Sequence, residues 1–341
     1  MQKKLTIAMD ITDTLLDKKG KLDKNVFDLF LKADLARTTF IFISGHSFNT
    51  ADDCINQVNN ILPDGKKVNG YIVTNCGARI YDINGKLLED NPMPNNYAKD
   101  IFGITKMIDK KSVMMYCSNE ENFVEKQPKI SKTGVLFYFY KRRERKKEGS
   151  GIQFIDIPQN DKEILTKPIH NIFVVSLNHY LKPVLLYNQQ AVAHFYNTNR
   201  IESRFTDNTD IDIINYYKDK KIEKPDFHIY DDFAIQVPAK SKEFAIKRIL
   251  DLDKSGNLPT DISEVICFGD SSTDTEMLKQ SKISFARGEK VEPLIKEVSK
   301  YHYINLEKVA DALYGDENNF DERLNALPKT DIVEISSLNH R

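Results

Sequence analysis

Four stretches of this chain are apolar without alternation, and each ends abruptly on small polar or acidic groups. Leu5-Thr6-Ile7-Ala8-Met9 runs into Asp10, and Thr39-Phe40-Ile41-Phe42-Ile43 runs into Ser44-Gly45-His46. Tyr71-Ile72-Val73-Thr74 runs into Asn75-Cys76-Gly77-Ala78, and Val265-Ile266-Cys267-Phe268 into Gly269-Asp270. A strand with one wet face alternates apolar and polar side chains, so continuous runs of this kind specify strands buried on both faces, as in a parallel sheet covered by helices. Helical spacing fills the gaps between them: Val26, Leu29, Phe30 and Leu35 in residues 23–36, then Ile55, Val58 and Ile61 behind a Thr50/Asp53 capping box. Strand, helix, strand, helix, strand is the α/β pattern, with right-handed crossovers and ligands bound at the strand C-termini.

That rhythm lapses near the hairpin-like turn Asp82-Ile83-Asn84-Gly85-Lys86. Strand-like runs follow at 113–117, 135–140, 152–157 and 171–177, with helical patterns near 96–108 and 161–165, which reads as an inserted α+β domain. Residues 227–237 then read as a strand leading into Pro238-Ala239-Lys240-Ser241-Lys242 and a helix over 243–252, where the parallel rhythm resumes. At 341 residues the chain is long enough for two domains. The expected division is a core of 1–84 and 226–316, an insertion of 85–225 and an extension of 317–341.

The 49 basic and 50 acidic side chains nearly cancel, so overall charge gives no reason to expect a nucleic-acid partner. Cys54, Cys76, Cys117 and Cys267 lie far apart with no CxxC pair, which fits reduced thiols better than a disulfide framework or a zinc site. No apolar run has bilayer-spanning length and no Sec-type signal is seen, so a cytoplasmic location with no membrane attachment is expected.

Chemistry is expected where the carboxylates stand. An aspartate at the end of a buried strand, as Asp10 is, is held in place yet reachable through its loop, which suits a nucleophile. Asp270 ends the fourth apolar run, and Asp274 falls in the first turn of a helix expected behind a Thr273/Glu276 capping box. Two carboxylates so spaced converge on a point, an arrangement that hard divalent cations such as magnesium prefer.

Taken in order, Asp10-Ile11-Thr12-Asp13-Thr14-Leu15-Leu16, Ser44-Gly45-His46, Lys242 and Gly269-Asp270 through Asp274 resemble the four motifs of haloacid-dehalogenase-superfamily phosphatases. Asn75-Cys76-Gly77-Ala78 is similar to the Asn-Gly-Ala turn of the Cof-type members, which carry a large α/β cap. The resemblance implies a Rossmannoid parallel-sheet core with an inserted cap. It further implies that Asp10 attacks phosphorus to give an aspartyl-phosphate, and that magnesium is held by Asp10, the Thr12 carbonyl and Asp270, with Asp274 in or just behind the first shell. Ser44 would hydrogen-bond phosphoryl oxygens, with Gly45, His46, Asn75 and Gly77 lining the substrate. Lys242 would neutralise charge on nucleophile and phosphate; Lys240 competes, but the Ser-Lys placement directly before the helix favours Lys242.

Two residues depart from the pattern. The family's hydrolases usually carry a second aspartate two residues after the nucleophile, a proton donor to the leaving group, and this chain has Thr12 there. A threonine hydroxyl cannot do that near neutral pH, and losing a general acid–base costs on the order of 10²–10⁴ in rate. Asp13, where the family commonly has glycine, could substitute only if the loop were re-registered. His46 stands where Cof-type members often have arginine. In the insertion, Lys141-Arg142-Arg143-Glu144-Arg145-Lys146-Lys147 is a basic run that reads as a solvated hairpin tip or as a patch for an anionic partner. The expectation is thus a magnesium-dependent phosphomonoesterase on a small phosphorylated metabolite, slowed by Thr12. The alternative is a weak or inactive protein of the same fold that binds an anionic or protein partner through its cap.

Overall fold

The computed structural model describes residues 4–118, 121–126, 153–176, 234–254, 256–288, 291, 293–315 and 320–331. Those within 4–91 and 240–331 form one compact unit and those within 92–239 the other.

The first unit is built on an eight-stranded sheet. Its strands are β1 (Leu5–Asp10), β2 (Thr38–Ile43), β3 (Gly70–Thr74), β4 (Arg79–Asp82) and β5 (Leu87–Asp90), with β11 (Ile266–Gly269), β12 (Ile283–Arg287) and β13 (Tyr301–Tyr303) from the far end of the chain. Their order is β13-β12-β11-β1-β2-β3-β4-β5, parallel from β13 to β3 and antiparallel in the β3-β4-β5 meander. The uninterrupted apolar runs have their expected cause: β1 is buried along its whole length and sits between β2 and β11. Phe30, Phe40, Phe42, Phe268 and Phe285 are fully buried on one side of the sheet, and Ile41, Ile43, Val73, Ile246, Ile249 and Cys267 on the other.

Among the described residues the second unit has a five-stranded mixed sheet in the order β10-β9-β6-β7-β8, from β6 (Val113–Ser118), β7 (Glu121–Glu125), β8 (Gln153–Ile157), β9 (Asn171–Val175) and β10 (Ala234–Pro238). The helix Asn95–Ile108 supplies Tyr97, Ile101 and Phe102 to its core. Glu125 is buried and accepts from Lys106 Nζ at 2.6 Å and from the Met114 amide at 3.0 Å.

Several expectations shift. The apolar run ending at Val237 does not return to the parallel sheet; it pairs antiparallel with β9 in the second unit. An apolar run specifies burial, not which sheet buries it, so the first unit resumes at 240 rather than 226. It also extends to residue 91, because the turn at Asp82, whose carboxylate accepts from the Asn84 and Lys86 amides at 2.9 Å, leads into β5. Within 23–36 the α-helix covers only Phe27–Leu31. The helix Phe48–Ile61 is capped at Ser47, three residues earlier than the expected Thr50 cap, and Thr50 is buried inside it. Residues 320–331 pack on the first unit: the Tyr301 and Tyr303 hydroxyls donate to the carbonyls of Leu324 and Pro328, both at 2.6 Å, and Thr330 bridges to His302. All four cysteines are buried and unbridged. No helix among the described residues is long and apolar enough to cross a membrane. The basic run 141–147 and the strand-like run 135–140 lie outside the described residues.

Glycine at 70 is a steric requirement. Its φ is +150°, and a Cβ there would lie 1.7 Å from the Phe40 carbonyl oxygen in the facing strand. At Gly65, also at positive φ, a Cβ would meet nothing within 4 Å. Gly70→Ala should therefore cost about 3 kcal/mol or more and lower Tm by roughly 6–12 °C, while Gly65→Ala should cost about 1 kcal/mol. Thermal melts of the two variants check the ranking.

Candidate active site

The sheet order places the ends of β1, β2, β3 and β11 side by side, and every residue singled out for chemistry lies in the first unit. Asp10 closes β1 in register with Ile43, so Ser44 follows on the neighbouring strand end. Asp10 is 3% exposed, and Ser44, Asn75, Lys242 and Asp274 are likewise buried.

Lys242 enters from the helix Lys242–Leu252, whose N-cap Ser241 accepts from the Phe244 amide at 3.1 Å. Its ammonium donates to Asp10 Oδ1 and, at 2.7 Å, to Asp274 Oδ1. The helix start is fixed from outside by Gly77, where a Cβ would lie 2.1 Å from the Ser241 carbonyl oxygen. Gly77, expected to line the substrate, is thus buried and packs against the residue preceding Lys242.

Asp274 spends its second oxygen on the turn below it, where Oδ2 accepts from the Asp270 and Ser271 amides, both at 3.1 Å, and from Ser271 Oγ at 3.2 Å. The expected Thr273/Glu276 capping box does not form, because Asp274 itself occupies the cap of the helix Thr275–Gln280 and turns its carboxylate back to the strand end. Gly269 makes room for this, since a Cβ there would fall 2.6 Å from that of Asp274. Asp270 accepts from the Thr14 hydroxyl at 2.9 Å. Thr14 was not singled out from the sequence, where nothing but its place in the loop after Asp10 distinguishes it.

The second wall is the Ser44–His46 turn against the Asn75–Gly77 turn. The Asn75 amide donates to the His46 carbonyl at 2.9 Å and the Cys76 amide to the Ser44 carbonyl at 3.0 Å. These bonds hold Asn75 and Cys76 at φ +51° and +56°, a left-handed pair of non-glycine residues that costs of order 1–3 kcal/mol each. Ser44 Oγ accepts from the His46 amide at 3.0 Å, which leaves its O–H to donate elsewhere. Asn75 Nδ2 is buried and has no hydrogen-bond partner among the described residues. Gly45 and His46 are half-buried. Thr12 is half-buried two residues past Asp10 and bridges to Leu16. Asp13 has φ +60°, which explains why glycine suits that place and why aspartate, tolerant of this region, can take it.

Three carboxylates face one ammonium. Burial, reinforced by the Asp274 charge and opposed by Lys242, pushes Asp10 up to about 6. Asp270 is raised well above the usual carboxylate range, first by burial and then by the charges of Asp10 and Asp274. Lys242 is raised: burial pulls it down, but the two carboxylates outweigh that. One oxygen from each of Asp10, Asp270 and Asp274 lies within 4.8 Å of the others. Hard oxygen donors at that spacing, with negative charge in excess, fit a divalent cation such as magnesium.

The family of haloacid dehalogenase-like hydrolases matches the chain over residues 7–313. Among solved structures, a haloacid dehalogenase-like hydrolase from B. subtilis shares 15% identity over 91% of this chain and 99% of its own, at TM-score 0.58. A sugar phosphatase of HAD subclass IIB shares 15% over 91% and 98%, at 0.57. A Streptococcus mutans protein shares 17% over 95% and 100%, at 0.56. At these identities the likeness is one of fold. No curated protein matches the chain.

Magnesium added to chelator-treated protein should raise Tm, since a ligand at about 100 times its Kd contributes about 2.7 kcal/mol to the folded state. Asp270→Asn should remove most of that shift. Differential scanning calorimetry with and without magnesium reads both.

Proposed function

The chain belongs to the haloacid dehalogenase-like hydrolases, and on that premise we propose that it is a magnesium-dependent phosphomonoesterase acting through an aspartyl-phosphate on Asp10. The observation that carries this reading is the buried Asp10–Lys242–Asp274 arrangement with Asp270 alongside. A sugar phosphatase among its structural neighbours makes small sugar phosphates the substrate class to try first.

Magnesium held by Asp10, Asp270 and the Thr12 carbonyl, with Asp274 behind them, would neutralise phosphoryl charge. Lys242 occupies Asp10 Oδ1, which leaves Oδ2 to attack phosphorus. The O–P bond forms on Asp10 as the bond to the leaving oxygen breaks, and Lys242 offsets the charge shared between the two groups. The Ser44 hydroxyl and Asn75 Nδ2 donate to the phosphoryl oxygens, holding the group in line; positioning and charge compensation supply most of what phosphoryl transfer needs. Water then attacks phosphorus, releasing phosphate and restoring the Asp10 carboxylate. At both steps a proton must move, and Thr12 is a poor carrier. Thr12 also favours a second reading, a catalytically weak protein that binds an anionic partner through its second unit.

Asp10→Asn should abolish phosphate release, and aryl phosphates, whose leaving oxygen needs no proton, should outrun alkyl phosphates. Thr12→Asp should improve alkyl turnover at least about tenfold, a modest fraction of what general acid catalysis supplies. Asp13→Asn should change little. Steady-state phosphate release on paired aryl and alkyl substrates, with magnesium and with chelator, reads all of these. Alkyl turnover that vanishes with Asp13→Asn would make Asp13 the proton carrier. A protein inert on every substrate, with Thr12→Asp no better, would select the partner-binding reading.

A further inference from the structure

The loop that carries Thr12, Asp13 and Thr14 is closed on itself. Leu16 bridges to both Thr12 and Leu22, the Asp17 amide donates to the Lys21 carbonyl at 2.7 Å, and the Asp23 amide donates to the Leu15 carbonyl at 2.9 Å. Gln57 clips its outer part, accepting from the Leu22 amide at 2.8 Å and donating to the Gly20 carbonyl at 3.0 Å.

Both ends meet the C-terminus of β12. At the far end, Arg287 Nη2 donates to Asp23 Oδ2 at 2.6 Å, with the Arg287 side chain only 3% exposed and that of Asp23 25% exposed. At the near end, Gly288 lies against Asp13: a Cβ on Gly288 would be 3.4 Å from the Asp13 carbonyl oxygen. Asp23 is further committed as the cap of the short helix Lys24–Val26, where Oδ1 accepts from the Asn25 amide at 3.0 Å. The end of β12 is itself braced. The Gly288 amide donates to the Tyr303 carbonyl at 3.3 Å, the His302 ring Nε2 lies 3.1 Å from the Gly288 carbonyl, and the His302 amide donates to the Lys329 carbonyl at 2.8 Å. The bracing residues beyond 313 lie outside the stretch that the family shares.

A buried guanidinium is costly to desolvate, and one committed to a single carboxylate at a strand end is a poor way to gain stability alone. We propose that Arg287 is a positioning residue: through Asp23, and with Gly288 against Asp13, it fixes the loop 11–23 so that the Thr12 carbonyl and the Thr14 hydroxyl stay aligned with Asp10 and Asp270. The catalytic part of this inference rests on the phosphatase reading above; the mechanical part does not. Arg287 touches no reacting atom, so its removal acts on the alignment at the chemical step more than on substrate affinity.

The experiment pairs hydrogen exchange of residues 12–22 with steady-state kinetics on an aryl phosphate, for wild type, Arg287→Leu, Arg287→Lys and Asp23→Asn. The exposed flank of Asp23 makes Asp23→Asn the variant least prone to misfold. In Arg287→Leu and Asp23→Asn, loop amides should exchange at least about tenfold faster with β2 unchanged, and kcat should fall at least about tenfold with KM within about threefold. Arg287→Lys should recover part of both. Unchanged loop exchange overturns the proposal outright, and faster exchange with unchanged kcat overturns the positioning role. If wild type shows no phosphatase activity, the functional reading has failed and the exchange data alone decide whether Arg287 holds the loop.

Discussion

One buried ammonium organises this molecule. Lys242 stands between Asp10 and Asp274 with both partners out of water, and Asp270 adds a third carboxylate. A charge taken from water costs several kcal/mol unless its partners are well placed, and removing one partner of such a set is far worse than never burying it. Burial first, and then the neighbouring carboxylate charges, raise both Asp10 and Asp270, since three carboxylates against one ammonium leave two negative charges unmatched if all are ionised. Three ionised carboxylates so close would repel one another, and a divalent cation is the kind of ligand that would relieve that imbalance. Much of the local detail serves this arrangement: Gly77 pressed on Ser241, Gly269 making room for Asp274, and Asp274 dividing its oxygens between Lys242 and the turn at Asp270.

How much of this was legible before folding depended on the physical signal. Asp10, Ser44 and Asp270 were visible because burial on both faces forces an unbroken apolar run, and the first polar group after such a run stands at the sheet's C-terminal edge. Lys242 was visible because Ser241 is a strong N-cap. The Asp274 position was legible but its task was not: local sequence suggested a helix-capping pair, whereas the carboxylate reaches back to amides that only the tertiary turn presents. Strand β10 was misassigned because apolar character carries no information about the partner strand. The packing of residues 320–331 was invisible, since two tyrosine hydroxyls reaching backbone carbonyls leave no periodicity.

Asn75 and Cys76 show a different kind of constraint. Neither is glycine, yet both adopt left-handed backbone, and amides donated to His46 and Ser44 hold them there. The turn links the Ser44 strand end to the start of the Lys242 helix, so strain stored in it is shared by two walls of the site. Such strain persists only where surrounding structure over-determines it, and its usual location is a site that must be rigid before a ligand arrives.

The central place of β1 also sets a timetable. Asp10 and Lys242 are 232 residues apart, and Thr14 and Asp270 are 256 apart. At about 5–20 residues per second, a ribosome needs on the order of ten to fifty seconds to bring the second member of each pair into being. For most of that interval β1, apolar on both sides, has β2 beside it but lacks β11, and β6 to β10 are all synthesised before β11 is. The acidic cluster is therefore among the last parts of the molecule to exist, and its birth depends on how long an unfinished, adhesive sheet edge can be kept from other chains.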